Sequence, residues 1–209
     1  MTIRPGEAWG EVVERPAGLA TVDDDGALAR WIADHAAGVI SEGPPAVAVI
    51  GGDLVDTVGG ASRGSQRRRY PIDVLRVVLD DDADHAVTAV AHVVVRRSGR
   101  LGWWRGPVWA AMNVSRHGRW EVAPRAHPND GMVDVVSIEA SMSWRTRAQV
   151  ARRLPTGAHL PHPSISVTRG AAAGWSGERP LPVLVDGRDV GRARRVEVTV
   201  VPDAATVHV

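Results

Sequence analysis

From Ile72 to the C-terminus the chain is a succession of short apolar runs punctuated by turn signals. This feature restricts its fold more than any other. Residues 72–79 and 85–95 read as strands joined by the acidic turn at 80–84. Further strands are predicted at about 107–115, 119–123, 132–139, 164–169, 181–186, 188–192, 195–201 and 205–209. One helix interrupts them, from Ser143 to Leu154, and Pro155 stops it. Many short strands with turns between them predict an antiparallel sandwich or barrel. No internal repeat is found.

Upstream the texture differs. Residues 1–22 are rich in Gly and Pro, with Trp9 as a packing anchor. Leu28, Trp31, Ile32 and His35 fall at helical spacing, so a helix is predicted over 26–37. The Asp residues at 23–25 supply its N-cap and Gly38 its stop. Residues 42–45 read as a loop. The all-apolar run 46–50, closed by Gly51 and Gly52, reads as a buried parallel strand and hence a small α/β piece. Asp53 then caps a short helix through Val58. The polar stretch 59–69 is a basic linker, placing the domains at 1–66 and 67–209. The fold class is α+β, mainly an antiparallel β-sandwich preceded by that small α/β piece.

Composition narrows the function classes. The 209 residues contain no Cys, so disulfides and thiolate metal sites are unavailable. A net charge of +1 argues against a nucleic-acid footprint covering one face. No apolar run approaches the roughly 20 residues of a membrane span, and the first residues lack the apolar core of a signal peptide. The expectation is a soluble cytoplasmic protein, with peripheral membrane contact left open.

Two turns carry candidate chemistry. Asn129-Asp130-Gly131 and Asp186-Gly187 both sit between apolar strands. Asp-Gly is a preferred tight hairpin turn, because Gly takes positive φ, and plain turns are one reading. In the other, Asp130 with its polar neighbours His127, Asn129 and Asp134 offers the oxygens a hard cation such as Mg2+ wants. Asp186 could then serve as a general base beside a substrate hydroxyl.

The ordered series Asn113, Gly118, Ala123-Pro124-Arg125-Ala126, Asp130-Gly131, Val133-Asp134, Asp186-Gly187-Arg188 and Pro202-Asp203-Ala204 spans roughly residues 70–209. It resembles the C-terminal domain of the bacterial diacylglycerol kinase and sphingosine kinase-like lipid kinases. The resemblance implies a structural Mg2+ held by Asp130 and the backbone carbonyls of His127 and Met132. It implies Asp186 as the base for a lipid hydroxyl. The family's acidic residue after that turn is Arg188 here, which reverses the local charge. Upstream, residues 46–60 resemble a nucleotide-domain segment whose loop is shortened to Gly51, Gly52 and Asp53. These three are the candidate cofactor-binding residues. The family's phosphate-cradling Gly-Gly-Asp-Gly-Thr loop is not found, so ATP binding by this chain alone is not expected.

Other features read more plainly. His159 and His162 lie in a Pro-containing extended stretch and predict a loop rather than a zinc site. Trp103-Trp104-Arg105 reads equally as a membrane-interface element or as a hairpin tip packed on the sandwich. Arg145, Arg147, Arg152 and Arg153 predict a solvated basic helix face, and Arg67-Arg68-Arg69 a linker charge run. The remaining Trp residues are expected in or near the core. Three readings follow: a degenerate lipid-kinase-like protein that binds a lipid, a second copy or another partner chain; an active Mg- and ATP-dependent lipid kinase; or a ligand-free structural module.

Overall fold

The computed structural model describes residues 9–36, 44–62, 66–99 and 101–209. The expected stop at Gly38, the start of the 42–45 loop and part of the 59–69 stretch lie outside them. Among the described residues the strands are β1 (Glu11–Glu14), β2 (Thr21–Val22), β3 (Ala46–Val49), β4 (Gln66–Leu79), β5 (Asp82–Ala89), β6 (His92–Arg96) and β7 (Val108–Met112). They continue as β8 (Arg116–His117), β9 (Trp120–Glu121), β10 (Val133–Ile138), β11 (Ile165–Gly170), β12 (Ala172–Val185) and β13 (Arg188–His208). The helices are α1 (Asp25–Ala36), α2 (Asp53–Thr57) and α3 (Trp144–Arg153).

The main sheet runs β1-β4-β13-β12-β6-β7-β10-β11, all antiparallel. The small α/β piece joins the same sheet. β3 pairs in parallel with the end of β13, Thr206 opposite Ala46, and β2 pairs in parallel with β3. The predicted buried parallel strand is therefore present, with Val47, Ala48 and Val49 buried. One apolar cluster unites both pieces: Leu28, Ile32, Val47 and Leu54 pack with Tyr70, Ile72, Val90 and Val207.

The sheet has two apolar faces because its central strands carry unbroken runs of β-branched residues. Val93 and Val95 of β6 face inward with Leu75, Ala111, Val135 and Val196. Val94 between them faces the opposite side, where Ala110, Met112 and Val136 meet Met142 and Val150 near and on α3. This two-sided burial is the sandwich that the strand pattern predicts.

Several details differ from the sequence reading. The predicted strand 85–95 is broken at Val90 and Ala91, because these backbone N–H groups turn away to a carboxylate described below. The late strands merge into two long ones. β13 passes through Pro202–Ala204 as an irregularity in its pairing with β4, where Asp203 takes a positive φ of 50°. Residues 172–180 extend β12; they show no apolar run and gave no strand signal. Arg67–Arg69 are strand residues of β4 rather than a linker, and Arg69 pairs with Glu11 of β1. Arg147 is buried at 3% exposure rather than solvated. Its guanidinium donates to the carbonyls of Trp103, Gly106, Glu139 and Met142, tying α3 to two loops. Trp144, expected near the core, is 65% exposed.

Each of the two loop histidines meets a nearby backbone group. His162 Nδ1 accepts from Ser164 N at 3.1 Å, and His159 Nε2 lies 3.1 Å from the Val122 carbonyl, buried. Burial holds His159 below its usual pKa despite that hydrogen bond. Below about pH 6.5 the unfolded chain therefore takes up a proton that the folded one resists. The His159 contribution is fully present above that pH and is lost as pH falls. His159→Gln is expected to flatten the acid limb of stability by up to about 1.4 kcal/mol per pH unit, read from urea midpoints between neutral and mildly acid pH.

Candidate functional site

Asp186 and Gly187 form the tight turn between β12 and β13, with φ of 47° and 77°. Positive φ at both positions suits a hairpin whose twist matches its strands. The turn aims the Asp186 side chain at the break between β5 and β6. Its carboxylate accepts from Val90 N at 2.8 Å, Ala91 N at 2.9 Å and His92 N at 3.0 Å. Asp186 thereby holds the interruption of the strand open. Burial raises its pKa, against the charge of His92 and the three N–H groups. Three of roughly four lone-pair directions are filled, leaving one for an outside donor.

The start of α1 supplies a second carboxylate. Asp24 caps the helix, accepting from Ala27 N at 2.7 Å, as the Asp run predicts. Asp25 turns the other way, into the fold, and is 6% exposed. It accepts from Asp53 N at 2.5 Å and Leu54 N at 3.2 Å. The N-terminal amides of α2 are thus held by Asp25, whereas the sequence suggested that Asp53 would cap its own helix. The predicted loop residues Gly51 and Gly52 make this approach possible. A Cβ on Gly52 would stand 2.6 Å from the Asp25 carboxyl carbon, and Gly52 has φ of 105°. Burial and then the nearby charge of Asp186 push the Asp25 carboxyl up to about 7.

Asp53 is free to face a different group. Its Oδ2 lies 2.9 Å from His92 Nε2, and its Oδ1 accepts from Gly118 N at 2.7 Å. His117 on β8 brings Nδ1 to 2.8 Å from His92 Nε2 and 3.8 Å from Asp53 Oδ2. Burial acts to raise the Asp53 carboxyl, but the His92 hydrogen bond and charge, with Gly118 and His117, hold it below the ordinary range. Burial and then the charge of His92 depress His117 to about 4. For His92 burial works downward, yet its hydrogen bond to Asp53 and the charges of Asp186, Asp53 and Asp25 raise it.

Asp25, Asp53, His92, His117 and Asp186 all line one open cleft of about 640 Å³. The exposed Arg30, Arg119 and Arg188 line it too. Sequence reasoning named Asp53, Asp186 and Arg188 for this place. It missed Asp25, His92 and His117, whose chain positions carry no shared motif.

The Asp130 turn lies elsewhere; His127, Asp130 and Met132 do not line the cleft. Fully buried Asp73 holds the turn in place, accepting from Gly131 N at 2.7 Å, Asn129 Nδ2 at 3.2 Å and Asp203 N at 2.9 Å. Asp130 Oδ2 is ion-paired with Arg169, and its Oδ1 accepts from Met132 N at 3.0 Å. Arg169 Nε also lies 3.2 Å from Asp134. The His127 ring packs edge-on against Trp9. A guanidinium thus stands between the two carboxylates, and both Asp130 oxygens already meet protein donors. A Mg2+ ion at this turn would have to compete with the Arg169 guanidinium for the Asp130 carboxylate.

Residues 65–209 match the family described as the YegS C-terminal NAD kinase beta sandwich-like domain. The chain belongs to this family. The lipid-kinase-like β-sandwich expected from the ordered motifs is thereby borne out. Solved structures agree in fold. One, of a candidate diacylglycerol kinase from Bacillus anthracis str. Sterne, superposes with a TM-score of 0.64 at 14% identity, over 90% of this chain and 76% of that one. A second structure described in the same way gives 0.63 at 11%, over 90% and 77%. A third, of a diacylglycerol kinase from the same organism, gives 0.52 at 12%, over 78% and 66%. No curated protein matches the chain in sequence. Among the described residues no helix is long and apolar enough to cross a membrane.

Within the YegS-type sandwich, Trp103 stands beside the cleft histidine. Its ring centroid is 5.3 Å from that of His117 and 5.4 Å from that of Trp120. Trp103 is half-buried against the α3-side cluster, the packed arrangement of the two weighed from the sequence.

Proposed function

We propose that this chain is a lipid-kinase-like protein that binds an anionic or hydroxylated lipid headgroup in the cleft and does not phosphorylate lipid unaided. One observation carries the reading. The Asp53 and Leu54 N–H groups, the amides that a glycine loop would turn toward a phosphate, already hold the buried carboxylate of Asp25. A nucleotide phosphate would have to displace an internal anion fixed by the fold. Arg30, Arg119 and Arg188 favour an anionic group at the cleft, since guanidinium geometry matches phosphate oxygens.

Flotation with phosphatidylcholine vesicles, with and without phosphatidic acid, tests this. The protein is expected to float with the acidic vesicles and to lose that behaviour in the double variant Arg30→Glu, Arg188→Glu. A calorimetric titration with Mg-ATP is expected to be flat. Phosphorylation of diacylglycerol by the purified chain, abolished by Asp186→Asn, would overturn the proposal.

The Asp25 carboxyl, pushed up to about 7 beside Asp186, favours a second reading. Carboxyls with raised pKa in a cleft are a mark of acid–base sites. In that case Asp186, with one open lone pair, takes the proton of a lipid hydroxyl during transfer from Mg-ATP. The same phosphorylation assay separates the two.

A further inference from the structure

The Asp53–His92–His117 cluster has a chemistry that the lipid reading does not use. Three lone-pair atoms converge from three separate elements: Asp53 Oδ2 from α2, His92 Nε2 from β6 and His117 Nδ1 from β8. Their separations are 2.9, 2.8 and 3.8 Å. Around a tetrahedral ion with bonds near 2.0–2.1 Å, ligand atoms stand about 3.4 Å apart. The observed triangle brackets that value, and half-ångström adjustments would regularise it.

Protons alone satisfy this cluster poorly. A neutral His92 has one N–H, yet its Nε2 faces both the Asp53 carboxylate and the His117 nitrogen. His92 is only 2% exposed, so bulk water does not supply the missing donor. Buried polar atoms are nearly always partnered, and exceptions ask for an unseen ion, water or chemical role. A cation at the convergence point would serve all three facing atoms at once.

The surroundings suit a metal. Gly118 N holds the second oxygen of Asp53, fixing the carboxylate as an outer-shell donor does. Trp103 and Trp120 flank His117 and shield that side from water. The other side opens on the cleft, so a fourth position is left for water or a ligand oxygen. Two imidazoles with one carboxylate suit Zn2+ and its neighbours rather than Mg2+ or Ca2+.

We propose that Asp53, His92 and His117 form a divalent transition-metal site of the Zn2+ class, open to the cleft. The site is independent of the lipid reading and of the Asp130 turn. It brings a positive charge to the cleft floor beside Asp186.

The test uses the metal alone. Full-length protein stripped with chelator is titrated with Co2+ and with Zn2+, following the visible absorption of bound Co2+ and the calorimetric heat. One equivalent is expected to bind saturably, Zn2+ displacing Co2+, with a rise in Tm on loading. His117→Ala lies on the small β8–β9 hairpin outside the main sheet, so its fold should survive, which circular dichroism checks. It is expected to weaken binding about tenfold or more. His85→Ala, exposed on β5, should leave binding unchanged. Absence of saturable binding, binding undiminished in folded His117→Ala, or binding lost equally in His85→Ala overturns the proposal. Loss of vesicle flotation with metal binding intact would count against the lipid reading and leave this one standing.

Discussion

Asp73→Ala is expected to destabilise the protein by about 3–5 kcal/mol, the usual range for removing one member of a buried, satisfied polar cluster. Asp73 is completely buried on β4 and accepts from the Gly131 and Asp203 backbone N–H groups and from Asn129 Nδ2. Alanine strands three donors at once and frees two chain segments, the Asn129–Gly131 turn and the irregular stretch of β13. Burial raises the Asp73 carboxyl above its ordinary range, so part of its anionic cost is already present in the fold. Asp73→Asn should lose less, because its amide oxygen can keep one or two of the three donors. Urea unfolding of the wild type and both variants measures this. A loss below about 1 kcal/mol for Asp73→Ala would show that water replaces the carboxylate readily.

Asp186→Ala is expected to cost about 2–4 kcal/mol, since a charge-accepting group serves three backbone N–H donors at a break in a central strand. Without it, Val90 and Ala91 have two ways to regain partners: water entry, or closure of β5 and β6 into the continuous strand that the sequence alone suggests. Hydrogen exchange distinguishes these. The expected result is faster exchange at Val90, Ala91 and His92; unchanged protection there would mean that the fold holds the break without Asp186. Asp186→Asn should fall between wild type and Asp186→Ala. The same substitution probes function and stability together, so an activity loss is meaningful only beside the unfolding data.

The sandwich was legible because the strands are long apolar runs separated by strong turn residues. Such runs must be buried on one or both faces whatever their partners. The helix at 25–36 was equally legible from Leu28 and Ile32 at helical spacing behind an Asp cap. Where the reading failed, local signals were weak or tertiary contacts overrode them. Residues 172–180 lack an apolar run, and edge pairing with β13 alone makes them strand. Arg147 looks like any basic helix residue, and four carbonyls from two loops bury it. Residues 85–95 carry strand propensity throughout, but the Asp186 carboxylate, almost a hundred residues away, removes the ladder hydrogen bonds at their middle.

The candidate site divides along the same line. The amino-acid order alone writes the two Asp-Gly turns, because Gly in positive φ is a local requirement, and it carries the ordered motifs that place the chain in its family. It determined that Gly51 and Gly52 precede a short helix. Long-range packing set what those features face. It set Asp25 against the α2 amides, put the Arg169 guanidinium between Asp130 and Asp134, and brought His92 and His117 onto Asp53 from 39 and 64 residues along the chain. A hydrogen bond or ligand set between distant segments depends on pairing register and burial, and neither leaves a periodic trace in the chain. The turns were therefore written locally, while their chemistry was assigned by packing.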